Sequence, residues 1–198
     1  VGIPRGVTAQ RVESTTPPAM FNTADAWMAG GFAAAAIVAM AFDERLAEWM
    51  QQPARQMNGT LQTTAIVFRE LADPGTVIIS GGLWAAGRLS HDSTMADVGL
   101  HSGEAIVVSS VAGWAIKGIA GRARPRVDIH QPRNFHVGRG FGGAGNYQSF
   151  PSGHTLAAFS LASAVTAEAG HFWPSEQRLI GVLTYGGATL SGMSRMYN

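Results

Sequence analysis

Uncharged, alanine- and glycine-rich stretches at 26–42, 74–87, 105–116, 155–167 and 179–194 constrain this chain most. Their apolar residues recur at helical spacing, and strand alternation is weak everywhere. Leu61, Ala65, Phe68 and Ala72 keep that spacing up to Asp73-Pro74-Gly75, a turn signal. The reading is all-α. Helices are expected at about 76–89, 94–119, 153–169 and 178–191, as well as before the Asp73 turn. Asp25 is placed to cap a helix running to Phe42. Asp43 is placed to cap the next, with Leu46, Trp49 and Met50 on one face and Pro53 ending it.

The chain has 198 residues, enough for one domain with a real core. Residues 1–23, with Pro4, Pro17 and Pro18, read as an N-terminal arm, and 24–198 as one helical domain. The longest uncharged apolar stretch, 26–42, has 17 residues. A membrane-spanning helix needs about 20 strongly apolar ones. Mean hydropathy is +0.08. Length thus favours tightly packed helices in a compact domain, while the small residues keep membrane embedding open. No charged segment followed by an apolar core opens the chain, so any leader is expected to lie outside it. Fourteen basic residues stand against thirteen acidic ones, which argues against a protein built to hold nucleic acid. With no cysteine, disulfides, thiolate metal sites and a cysteine nucleophile are excluded.

Charge is balanced overall but not evenly placed. Lys117, Arg122, Arg124, Arg126, Arg133 and Arg139 lie within 23 positions, against one acid, Asp128. Most of them fall in an irregular segment, 121–152, rich in Arg, Gly and Pro. A loop of that length in a compact domain is functional or disordered. A solvated basic loop is the plain reading. An anion site is the sharper one, because arginine forks match phosphate oxygens.

Pro151-Ser152-Gly153-His154 then leads directly into an apolar helical run. Ser152 is a good N-cap, and Gly153 lets a ligand approach the backbone. The free N–H groups of a helix start favour an anion. His154, in the first turn, is placed to give a proton to a leaving oxygen.

These residues carry a resemblance. Lys117 to Arg124-Pro125 fits K-x6-R-P, Pro151-Ser152-Gly153-His154 follows, and Ser194-Arg195 comes forty positions after His154. The set resembles the three-part signature of the type 2 phosphatidic acid phosphatase superfamily, with its relatives the bacterial non-specific acid phosphatases and vanadium haloperoxidases. Residues 1–116 resemble it only in being helical. The resemblance implies a helical bundle and a metal-independent phosphatase. Lys117, Arg124 and Arg195 would bind the phosphate and stabilise transition-state charge, with Ser152 and Gly153 completing the cradle. His154 would bind there too, as the general acid. The family's third motif continues with a nucleophilic histidine, which falls three positions beyond Asn198, followed by an aspartate and a last core helix.

The implied reaction is hydrolysis of a phosphate monoester or lipid (pyro)phosphate through a phosphohistidine. The partner is a phosphorylated small molecule or lipid head group, not nucleic acid. No cofactor is expected, and vanadate would inhibit. Two alternatives are a vanadium-dependent haloperoxidase, with vanadate as cofactor, and a non-catalytic envelope subunit retaining the fold. Family habit suggests an extracytoplasmic envelope site, at a membrane surface or embedded.

Other features carry less weight. Gly138-Arg139-Gly140-Phe141-Gly142-Gly143 fits G-x-G-x-x-G but joins no strand to a helix, so it reads as a flexible lip over the basic site. His91, His101, His130, His136 and His171 show no metal-ligand spacing and no visible partner, and read as surface residues, with substrate contact an alternative for His130 and His136 in the loop. Trp27, Trp49, Trp84, Trp114 and Trp173 read as core or interface anchors.

Overall fold

A computed structural model describes residues 48–124, 127, 134–142 and 145–197, the Met196 side chain apart, with isolated positions in 23–45. Positions 23, 26, 27, 30, 31 and 34 are helical; the proposed caps Asp25 and Asp43, with Leu46, lie outside the described residues. Residues 43–198 form a compact unit separate from residues 1–42.

The fold is all-α. The elements are α1 (Pro53–Gln56), α2 (Gly59–Ala72), α3 (Gly75–Ser90), α4 (Ser93–Ala120), a 3-10 turn (Arg139–Phe141), α5 (Gly153–Phe172) and α6 (Gln177–Tyr197). Among the described residues no strand forms, only one bridge between Arg122 and Phe135. Side-chain caps start α2 and α4: Asn58 accepts from the N–H groups of Thr60 and Leu61, and Asp92 from that of Met95. Each such cap stabilises by about 1 kcal/mol.

The helix through residues 48–50 ends before Pro53, as expected, and Pro53 itself opens the short helix α1, since proline's fixed φ and missing N–H suit the first turn. The last helix runs on through Arg195 to Tyr197 instead of stopping near 191. Tertiary bonds hold that extra turn. Tyr197 is buried against Met50 and Ala65. Its hydroxyl donates to the Arg55 carbonyl at 2.8 Å, and Gln56 Nε2 donates to its carbonyl at 3.0 Å.

Helix α3 packs on α4, α4 on α5, α5 on α6, and α6 on α2. The interior is built from small side chains. Ala72, Ala158, Ala162 and Ala188 form the buried cluster joining α2, α5 and α6. At Gly99 the α4 backbone lies so near Ser80 and Trp84 of α3 that a side chain would collide with main-chain atoms. An interior this narrow has no room for indole. All five tryptophans are at least 44% exposed, so the reading of them as core anchors is corrected. Trp49 carries the Arg55 guanidinium on its face at 3.7 Å, and Trp114 meets Phe141 edge-on.

The outer faces of α3 and α4 are apolar, with Val77, Ile78, Val107, Val108 and Val111 exposed. Among the described helices α4 is the one long and apolar enough to cross a membrane. Its first half carries Asp97, His101 and Glu104, and the charge-free run 105–116 rises only about 20 Å against a hydrocarbon core of about 30 Å.

Candidate active site

The ends of α4, α5 and α6 meet at one end of the bundle. Lys117 lies in the last turn of α4, which stops at Gly121. Gly121 takes the left-handed conformation (φ 54°), and its N–H closes on the Lys117 carbonyl at 3.0 Å. A side chain there would also collide with the His136 carbonyl, so glycine is required twice over.

The backbone after Gly121 is pinned along its length. Ala123 N–H donates to Asn134 O at 2.9 Å, and Arg124 N–H to Asn146 O at 2.8 Å. The Ser149 hydroxyl reaches the Arg122 and Ala123 carbonyls at 3.1 and 2.8 Å. Two distant pieces of loop thus fix where Arg124 stands relative to Lys117. Phe141 packs against Gly118 and Gly140 against the Lys117 carbonyl, so the glycine motif is wedged onto α4 instead of forming a lip.

Helix α5 begins as the sequence suggests. Ser152 caps it, accepting from Thr155 N–H at 3.4 Å. Its first residue, Gly153, borders Lys117: a side chain at 153 would meet Lys117 Nζ at 3.3 Å. A cation therefore stands at the N-terminal end of a twenty-residue helix, where backbone N–H groups are free. Burial, and then the charge of Arg124, hold the Lys117 ammonium below its ordinary pKa.

His154 is half-buried one residue further on. Burial lowers its pKa first, and the Arg195 guanidinium lowers it further; the carboxylate of Asp73 pulls the other way. Arg195 reaches this neighbourhood from the last turn of α6, held by the Tyr197 bonds. Asp73 Oδ2 lies 4.0 Å from His154 Nε2.

The basic run of the sequence divides in space. Lys117 and Arg124 feel each other's charge beside the start of α5. Arg139 stacks on Tyr147 at 4.5 Å, and Arg122 lies near the Phe135 ring at 5.8 Å. Arg126, Arg133 and His130 lie outside the described residues. Among the described residues no group of three His, Asp or Glu side chains gathers as a metal site would.

Two neighbours were not legible in advance. Asp73 read only as part of a turn. His101 read as partnerless, yet its Nδ1 lies 2.6 Å from Glu168 Oε1, across the α4–α5 contact. The two are 67 positions apart, and helical spacing alone does not pair them.

The structure is thus a helical bundle that gathers lysine, arginine and histidine around a helix start. The chain matches the PAP2 superfamily over residues 98–198, and it belongs to that superfamily. Its members are generally phosphatases. Neither the curated proteins nor the solved structures give a match.

Proposed function

We propose that this protein hydrolyses a phosphate monoester or a lipid (pyro)phosphate without a metal, through a phosphohistidine. The observation that carries the reading is Lys117 Nζ beside Gly153, which puts a cation and free helix N–H groups on the same spot. Phosphoryl transfer demands mainly positioning and charge stabilisation, and fixed cations with a helix start supply both. In this reading Lys117, Arg124 and Arg195 hold the phosphate oxygens. Ser152 and the Gly153 N–H complete the cradle. His154 protonates the leaving oxygen. The nucleophile is the family's histidine, three positions beyond Asn198.

The pKa directions suit the task. Lys117 and His154 are both held low by burial and by neighbouring cations. A phosphate dianion entering the site reverses that field, so substrate itself brings protons onto both groups. The substrate is a phosphorylated small molecule or a lipid head group, met on the extracytoplasmic side of the cell envelope. The apolar faces of α3 and α4 suit work at a membrane surface.

The test is phosphate release by the intact protein from alkyl, aryl and lipid phosphates, with excess EDTA and with vanadate. Release that survives EDTA and stops with vanadate is expected, since vanadate mimics five-coordinate phosphorus. Activity that vanishes with chelator and returns with a divalent ion contradicts the reading.

A further inference from the structure

The acid has a carboxylate neighbour that the signature does not contain. We propose that Asp73 is a positioning residue for His154: its carboxylate holds the Nε2–H of the imidazole and leaves Nδ1 to serve the leaving group. The inference rests on the phosphatase reading of the site and extends it to a residue outside the matched span 98–198.

Geometry places Asp73 firmly although its side chain is 60% exposed. Its neighbour Ala72 is fully buried, and Thr76 is buried with its hydroxyl bonded to the Ala72 carbonyl at 2.7 Å. The Asp73 N–H itself closes α2 by donating to Arg69 O at 3.1 Å. Across the interface, Ala72 belongs to the same buried cluster as Ala158 and Ala162. His154, Ala158 and Ala162 are spaced by four and so share one face of α5. The packing that sets Ala72 against Ala158 therefore sets the next residue of α2's end beside the residue one turn earlier on α5. The 4.0 Å approach of Oδ2 to Nε2 follows from helix register, not from a mobile surface contact. It is an ion-pair distance, and catalytic hydrogen bonds commonly tighten only in the substrate complex.

Other charges also act on this imidazole. Arg195 of α6 and Arg69 of α2 disfavour its protonation, while Asp73 and Glu70 of α2 favour it. Lys117 of α4 borders the adjacent Gly153. Glu70 is engaged by Arg69 at 2.7 Å, which leaves Asp73 as the carboxylate directed at the ring. An acid surrounded by cations needs such a partner. Without it the proton leaves before it is used, and the ring is free to turn its other nitrogen inward.

In the step itself, the bond from phosphorus to the leaving oxygen breaks and its electron pair goes to that oxygen. The Nδ1 proton of the His154 imidazolium moves to the oxygen, and the phosphoryl group passes to the nucleophile. His154 ends as neutral imidazole, with Nε2–H still facing Asp73.

The experiment compares wild type, Asp73→Asn and Asp73→Glu in the intact protein, in two ways. The first is a leaving-group series of phosphate monoesters. The second is an NMR titration of the His154 imidazole in the absence of substrate. For Asp73→Asn the loss in kcat/KM should grow with leaving-group basicity, to about tenfold for an alkyl phosphate. Its imidazole should titrate at lower pH by at least about 0.3 units, and Asp73→Glu should recover much of both effects. An unchanged titration, or a loss equal across the series, overturns the proposal. If the wild type hydrolyses no phosphate ester, the phosphatase reading falls instead, and the titration still decides whether Asp73 governs His154.

Discussion

Lys117 Nζ and the α-carbon of Gly153 are such close neighbours that one added methyl at 153 would touch the ammonium at 3.3 Å. This contact joins the end of α4 to the start of α5, and it can be probed without touching either charge. Gly153→Ala should fold normally, because the lysine tip can yield a few tenths of an ångström and alanine suits a helix better than glycine. The methyl should nevertheless occupy anion space and push the ammonium aside. Vanadate or phosphate affinity is expected to fall about tenfold at unchanged Tm, measured by calorimetry and thermal unfolding. Unaltered affinity would remove the anion from the α5 start.

The arginines should separate by function. Arg124→Ala or Arg195→Ala should each lower kcat/KM by about 100-fold or more, as loss of a transition-state charge contact does. Arg139, stacked on Tyr147, should be far less sensitive. Steady-state kinetics on all three variants makes the comparison, and near-normal turnover of both Arg124→Ala and Arg195→Ala would remove the assignment.

His101 and Glu168 predict a pH effect on stability that is separate from catalysis. The hydrogen bond to Glu168 raises the His101 pKa above its ordinary 6.5. A group whose folded pKa is raised contributes fully below the unfolded value and loses that contribution as pH rises through the folded value. The protein should therefore lose some stability on going from below pH 6.5 upward through the neutral range. The change should be modest, because the His101 side chain is 47% exposed and screened by water. Denaturant unfolding at several pH values should show this slope in wild type and a flatter one in His101→Gln.

Tyr197 links stability to the site. Tyr197→Phe removes the donor to the Arg55 carbonyl and should cost about 0.5–1.5 kcal/mol in chemical denaturation. It should also weaken phosphate binding, since the turn it anchors carries Arg195. An equal affinity in the two proteins would show that Arg195 is held by other contacts.

What could be read in advance follows the range of each interaction. The Ser152 cap, the start of α5 and the end of α4 are local, and residue types within a turn of one another specify them. The spacing of Lys117 and Arg124 was legible for the same reason. Asp73 was not, because its partner is eighty-one positions later and only the Ala72–Ala158 packing brings the two together. His101 escaped notice likewise. The tryptophans misled because large apolar residues usually fill interiors, whereas alanine and glycine fill this one and leave no indole-sized space. The final turn of α6 was missed because its support comes from residues 55 and 56.

The proposed function requires an anion held by Lys117, Arg124, Arg195 and the start of α5, facing His154. Its most direct test is the titration of the His154 imidazole by NMR, with the site empty and with phosphate or vanadate bound. In the empty protein, burial and Arg195 should hold the midpoint below the ordinary histidine value. Bound anion should move it upward, because the dianion favours the imidazolium. A midpoint that does not move on saturation with ligand would contradict the account, since His154 would then not face the anion.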